Sequence, residues 1–182
     1  MVTAQFIIHG LWPVNKTGST LQGDGTAAPV VPKDIQSDPV LYNAMNKNWP
    51  SLNGGNFGFW SKEWKKHGSA DPAFNNKPLT YFKTTIAVKN LQGSDLFTSL
   101  RNKKIKPGSS TSKNNCKNAM ESSIGIQRSV ILKCYKESNN ILHLSEVYIC
   151  VDAKATKFIA CNANELAKDT CGTGIGNVKL DQ

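Results

Sequence analysis

Acidic residues are scarce in this 182-residue chain: thirteen Asp and Glu stand against twenty-two Lys and Arg. The formal charge of +9 and the pI near 9.4 raise the local concentration of any polyanion at the surface. Long apolar runs are missing as well. No stretch approaches the roughly twenty residues that a membrane helix requires, so no membrane partner is expected. Nothing repeats at a fixed period, which removes solenoids and propellers. No Cys or His pair has the spacing of a zinc finger, and no carboxylate cluster accompanies the histidines. Neither a metal site nor a cofactor is therefore expected. Hydrophobic residues still make up 39% of the chain, enough for the core of one domain covering 1–182.

Histidine is also rare, and two of the three lie in informative surroundings. His9 stands in Phe6-Ile7-Ile8-His9-Gly10-Leu11-Trp12-Pro13, and His67 in Phe59-Trp60-Ser61-Lys62-Glu63-Trp64-Lys65-Lys66-His67-Gly68. The first string is short, apolar and β-branched, which predicts a buried strand over Phe6 to Ile8 ending at His9. The second has helical spacing. Trp60, Glu63, Trp64 and His67 then share one face, and Gly68 ends the helix. Imidazole titrates near neutrality, so two converging histidines supply a proton donor and a proton acceptor together. Taken singly, these features have plainer readings: a hydrogen-bonded core histidine, a surface pair between Glu63 and Lys66, and a core-facing tryptophan stripe.

Together, the two strings resemble the active-site segments of the T2 ribonuclease family, the secreted RNases that include the plant self-incompatibility S-RNases. The likeness extends more loosely through Trp49-Pro50 and the cysteine-bearing last third to Asp169-Thr170-Cys171-Gly172. It implies an endoribonuclease that needs no metal. In the family's pattern His67 takes the proton from a ribose 2′-hydroxyl, which attacks the adjacent phosphorus, and His9 protonates the departing 5′-oxygen. A 2′,3′-cyclic phosphate results. Glu63 and Lys66 match the family's charged pair, with Lys66 stabilising charge on the phosphoryl oxygens. Trp12 matches the tryptophan of the first motif and is expected to pack by His9. Many relatives carry a further histidine where this chain has Lys62, which can hold a phosphate as a point charge but cannot exchange its proton near neutrality.

Several expectations about binding and location follow from the resemblance. Phe59 and the loop Ser51 to Gly58 lie where relatives form a base pocket; an aromatic there stacks on a base for about 1 to 3 kcal/mol, or simply packs against its own helix. RNA is thus the expected partner of a monomer, with protein partners added if the chain acts in self-incompatibility. The basic balance resembles the S-RNases more than the mostly acidic S-like enzymes. Asn15-Lys16-Thr17 is the one Asn-x-Ser/Thr sequon and makes Asn15 a glycan acceptor in a secretory setting. The rival expectation is a non-catalytic relative that keeps the fold as an RNA-binding, recognition, storage or defence protein.

The rest of the chain reads as α+β, an antiparallel sheet with helices packed on it. Asp38-Pro39 opens a helix to about Asn48, closed by Trp49-Pro50. Leu79 to Asn90, Ser94 to Arg101 and Lys113 to Ser123 have helical apolar spacing, and the basic run Arg101 to Lys106 reads as a solvated loop. Val130 to Leu132, Leu142 to Val151 and Phe158 to Ala160 read as strands. The five cysteines at 116, 134, 150, 161 and 171 all lie in the last third. The resemblance implies Cys134 with Cys171 and Cys150 with Cys161, hence an oxidising, secretory compartment. Cys116 shares a helical face with Ala119 and Met120 and reads as a small buried hydrophobe. A further family disulfide is absent, with Ala70 in one of its places, which predicts a less stable loop behind His67. Met1 to Gln5 lacks the pattern of a signal peptide, and the family's N-terminal strand is expected to be missing.

Overall fold

The computed structural model describes residues 5–93, 95–172 and 177–181. Two compact units emerge, one formed by Phe6–Leu91 with Ala153–Thr156, the other by Gln92–Asp152 with the chain from Lys157 onward and Gln5. The first four residues, on which the expectation about a leader rests, lie outside the described part.

The Phe6–Leu91 unit is helical. It contains α1 (Pro32–Gln36), α2 (Pro39–Asn48), α3 (Asn56–Lys66) and α4 (Pro78–Asn90), with short 3-10 turns at Gly68–Ala70 and Pro72–Phe74. α2 starts where its sequence says: the Asp38 carboxylate accepts from the Leu41 N–H at 3.1 Å and Pro39 occupies the first helical turn. Leu41, Met45 and Trp49 from α2 and its C-cap, Trp60 and Trp64 from α3, and Tyr81, Phe82 and Ile86 from α4 form one buried cluster with Ile35 and Phe74. Aromatic rings dominate it. Each of the two α3 indoles also finds an acceptor: Trp60 Nε1 donates to the Trp49 carbonyl at 2.8 Å, and Trp64 Nε1 to the Ala28 carbonyl at 2.7 Å. The Trp60/Trp64 stripe is thus core.

Two local expectations change here. Phe6 to Ile8 is not a strand; the Ile8 N–H donates instead to the Asn48 carbonyl at 2.7 Å, at the end of α2. A three-residue apolar run carries too little periodicity to separate a ladder strand from an extended segment docked on a helix end. Gly68 does follow the α3 C-cap, His67, but it is not left-handed. A Cβ there would lie 2.5 Å from Trp64 Cε3 and 2.7 Å from Tyr81 Cγ, so glycine is required for close packing.

The second unit holds α5 (Leu96–Asn102), β1 (Ser110–Ser112), α6 (Lys113–Ile124), β2 (Val130–Lys136), β3 (Leu142–Ile149), α7 (Ala163–Leu166) and β4 (Asn177–Lys179). Its sheet has the order β1-β4-β3-β2. β2 and β3 pair antiparallel from Val130↔Ile149 to Lys136↔Leu142, with a bulge between Lys133 and Cys134. β4 is antiparallel to β1 and parallel to β3, so the α+β class stands with a mixed rather than purely antiparallel sheet. The helix expected over Ser94 to Arg101 is α5; Ser94 itself lies outside the described residues. Phe158 to Ala160 is not a strand, because only Phe158 bridges, to Val151, and the Cys161 N–H then turns to the Arg128 carbonyl. In the basic run Arg101 to Lys106 every residue is exposed except Ile105, which is 6% exposed.

Disulfides join Cys134 to Cys171 and Cys150 to Cys161. Cys116 is a free thiol, fully buried on α6 beside Ala119 and Met120. The third histidine, His143 on β3, is a buried structural group: Nδ1 lies 2.6 Å from the Asp181 carboxylate, Nε2 3.2 Å from that of Glu137, and the Tyr135 ring stacks on it at 5.0 Å.

Candidate active site

His9 is held by backbone and core. The Trp49 indole N–H donates to the His9 carbonyl at 2.7 Å, one residue after the Ile8 bond to Asn48, so the end of α2 grips two successive residues. The Tyr81 hydroxyl accepts from the Leu11 N–H at 3.3 Å. Burial holds that phenol well above its usual range, so it stays protonated. With the backbone clamped, the His9 side chain remains about half exposed.

α3 supplies the opposing groups from its buried face. Glu63 is 6% exposed and His67 3% exposed, one turn apart. Glu63 Oε1 lies 3.7 Å from His9 Nε2, and Oε2 accepts from the Trp12 indole N–H at 2.8 Å. Trp12 lies against both histidines, its ring edge-on to His9 at 4.8 Å and tilted over His67 at 4.9 Å. Phe59 adds a tilted ring 6.0 Å from His9 while its body packs on the core. Lys62 and Lys66 are exposed on the same helix.

The two histidines sit in different electrostatic surroundings. Burial is the largest effect on His67 and lowers its pKa below the ordinary 6.5; the positive charges of Lys66 and His9 act in the same direction, and the Leu21 backbone acts against them. Its Nδ1 is buried with no hydrogen-bond partner among the described residues. His9 instead faces the Glu63 carboxylate. Different surroundings for two titratable groups are what an acid/base pair needs at one pH.

The family model of the Ribonuclease T2 family matches residues 1–161. The chain belongs to that family. Over 176 residues it is 35% identical to the extracellular ribonuclease LE of Solanum lycopersicum, covering 94% of this chain and 73% of that one. The intracellular ribonuclease LX of the same plant is 35% identical over 161 residues, covering 86% of this chain and 64% of LX. Ribonuclease MC1 from bitter gourd seeds superposes with a TM-score of 0.79 at 28% identity, covering 97% of this chain and 85% of that one. A point variant of MC1 has been solved in complex with 5′-GMP and matches equally well.

Within this T2 chain the structure gathers His9, Trp12, Phe59, Glu63 and His67 around one point. Asn15 lies apart from that cluster's chemistry, in an exposed turn where its Oδ1 accepts from the Thr17 hydroxyl at 2.7 Å and from the Ser19 N–H at 2.9 Å. The paired cysteines belong to the other unit. Three supporting residues gave little signal in the sequence: Trp49 entered only in Trp49-Pro50 at a helix end, Tyr81 only inside the helical span Leu79 to Asn90, and Gly10 only as part of a motif. A Cβ on Gly10 would fall 2.3 Å from Glu63 Oε2 and 2.4 Å from Trp12 Nε1, so only glycine leaves room for that bond.

Proposed function

The chain is a T2-type ribonuclease by family, and we propose that it cleaves single-stranded RNA by transphosphorylation with His67 as base and His9 as acid. The observation that carries the reading is the contrast between these histidines around one indole. Burial favours the neutral form of His67, which takes the proton of the ribose 2′-hydroxyl as the 2′-oxygen bonds to phosphorus. The P–O5′ bond breaks and His9 gives its proton to O5′, leaving a 2′,3′-cyclic phosphate. Unliganded catalytic geometry is commonly looser than the productive one, so the small exposed part of His67 does not count against this role.

Glu63 sustains the positive charge of His9, and Lys66 stabilises the phosphoryl oxygens as charge grows there. Trp12, Phe59 and Lys62 form the RNA-binding surround, two rings for stacking and one cation for phosphate. The Phe6–Leu91 and Gln92–Asp152 units are parts of a single T2-like domain acting as a monomer. Two disulfides support an oxidising, secretory location, with Asn15 as an exposed glycan acceptor. An S-RNase-like role in self-incompatibility or defence is the finer reading, supported by the net charge of +9.

The test is cleavage of total RNA in excess EDTA by the parent, His9→Ala and His67→Ala proteins. Metal-independent cleavage by the parent and a loss of at least about a hundredfold in each variant are expected. Either variant within tenfold of the parent would sink the mechanism. A parent that binds RNA without cutting it would be the recognition or storage protein instead.

A further inference from the structure

We infer that Trp12 is a positioning residue whose indole N–H sets the Glu63 carboxylate against His9. The inference rests on the reading of His9 as general acid. Glu63 emerges from the buried face of α3 and its side chain is 8% exposed, so little water is available to hold its orientation. An indole nitrogen only donates. Its 2.8 Å bond to Oε2 fixes which oxygen faces the tryptophan and leaves Oε1 toward His9 Nε2 at 3.7 Å. A freely turning carboxylate would present neither oxygen consistently.

Two neighbours show that the arrangement is built into the fold. Gly10 lies where any side chain would displace both the Glu63 oxygen and the indole nitrogen. Trp12 is also wedged by its contacts with His9 and His67, so its N–H has little freedom to point elsewhere. Among the described residues, the charged groups around His9 include Glu63 and, more remotely, His67, whose own titration feels His9 and Lys66. A change at Trp12 should therefore reach the proton on His9 through Glu63.

The experiment is a double-mutant cycle with Trp12→Phe, which keeps a ring and removes the N–H, and Glu63→Gln. Trp12→Phe should lower kcat by about 10- to 100-fold, the range for losing a hydrogen bond to a charged acceptor, with KM changed much less. In the Glu63→Gln background the same change should cost under about threefold. Equal losses in both backgrounds would overturn the inference, since Trp12 would then act independently of Glu63.

A second measurement does not depend on cleavage. The His9 ring protons, followed by NMR against pH, should titrate at lower pH in Trp12→Phe and in Glu63→Gln than in the parent. In the parent protein the Trp12 Nε1–H resonance should move as Glu63 titrates and lose that response in Glu63→Gln. An unchanged His9 titration in Trp12→Phe, or an indole signal indifferent to Glu63, refutes the positioning role. Failure of His9→Ala to reduce cleavage, with these NMR responses intact, would instead remove the catalytic reading and leave the Trp12–Glu63–His9 linkage standing.

Discussion

Two glycine-to-alanine changes around α3 should shift stability in opposite directions. At Gly68 the added methyl would lie 2.5 Å from Trp64 Cε3, 2.7 Å from Tyr81 Cγ and 2.8 Å from Tyr81 Cδ2. Carbon atoms at rest sit about 3.5 to 4.0 Å apart, so the overlap is on the order of 1 Å against two separate rings. Neither ring has room to yield, because both are fully buried and Trp64 is tied to the Ala28 carbonyl. Overpacking of this kind costs about 1 to 3 kcal/mol. For a chain of this size that lowers Tm by about 2 to 12 °C.

At Gly58, inside α3, an added Cβ meets nothing and the backbone is ordinary helix. Alanine there reduces the freedom of the unfolded chain and should add about 0.4 to 1 kcal/mol, raising Tm by about 1 to 4 °C. Thermal melts followed by far-ultraviolet circular dichroism compare the parent, Gly58→Ala and Gly68→Ala under one buffer. RNA cleavage by Gly68→Ala should fall as well, since His67 is the preceding residue. If Gly68→Ala melts with the parent or above it, the close packing of Gly68 is not what the structure describes. If Gly58→Ala falls as well, the open space around Gly58 is not what the structure describes.

Other consequences can be checked separately. Because burial lowers the folded-state pKa of His67 beneath 6.5, the unfolded chain binds that proton first as pH falls. Stability should be full above about pH 6.5 and decline below it until the folded-state pKa is passed, and denaturant midpoints against pH should lose that decline in His67→Gln. The disulfides span 37 and 11 residues in sequence, so loop-closure entropy gives about 3.8 kcal/mol for Cys134–Cys171 and about 2.8 kcal/mol for Cys150–Cys161. Paired Cys→Ala variants compared by urea denaturation should rank in that order. Burial pushes the Cys116 thiol up to about 12, so iodoacetamide at neutral pH should leave it unmodified in native protein and label it once urea unfolds the chain.

Legibility in the sequence followed the range of the interactions involved. α2 was readable because Asp38 and Pro39 act within one turn, and the shared face of Trp60, Glu63, Trp64 and His67 because helical spacing fixes it. β1 and β4 were not, since three residues each give almost no alternation, and β4 runs parallel to one neighbour and antiparallel to the other. The segment Phe6 to Ile8 failed for a related cause: its partner is a helix end some forty residues away, and no local pattern announces such a partner. At the site, residue types and motif membership were legible. The hydrogen bond from Trp12 to Glu63 was not, because it links positions 51 apart in sequence and depends on Gly10 having no side chain.

The placement of the tryptophans makes the protein its own optical probe. Trp49, Trp60 and Trp64 are wholly enclosed, whereas Trp12 is only partly covered and touches both histidines. A soluble quencher such as acrylamide should reach one indole in four, so the quenchable fraction of the emission reports on the cleft alone. A nucleotide arriving between His9 and His67 should be visible in that fraction without any label, while the remaining emission serves as an internal standard for the integrity of the helical core.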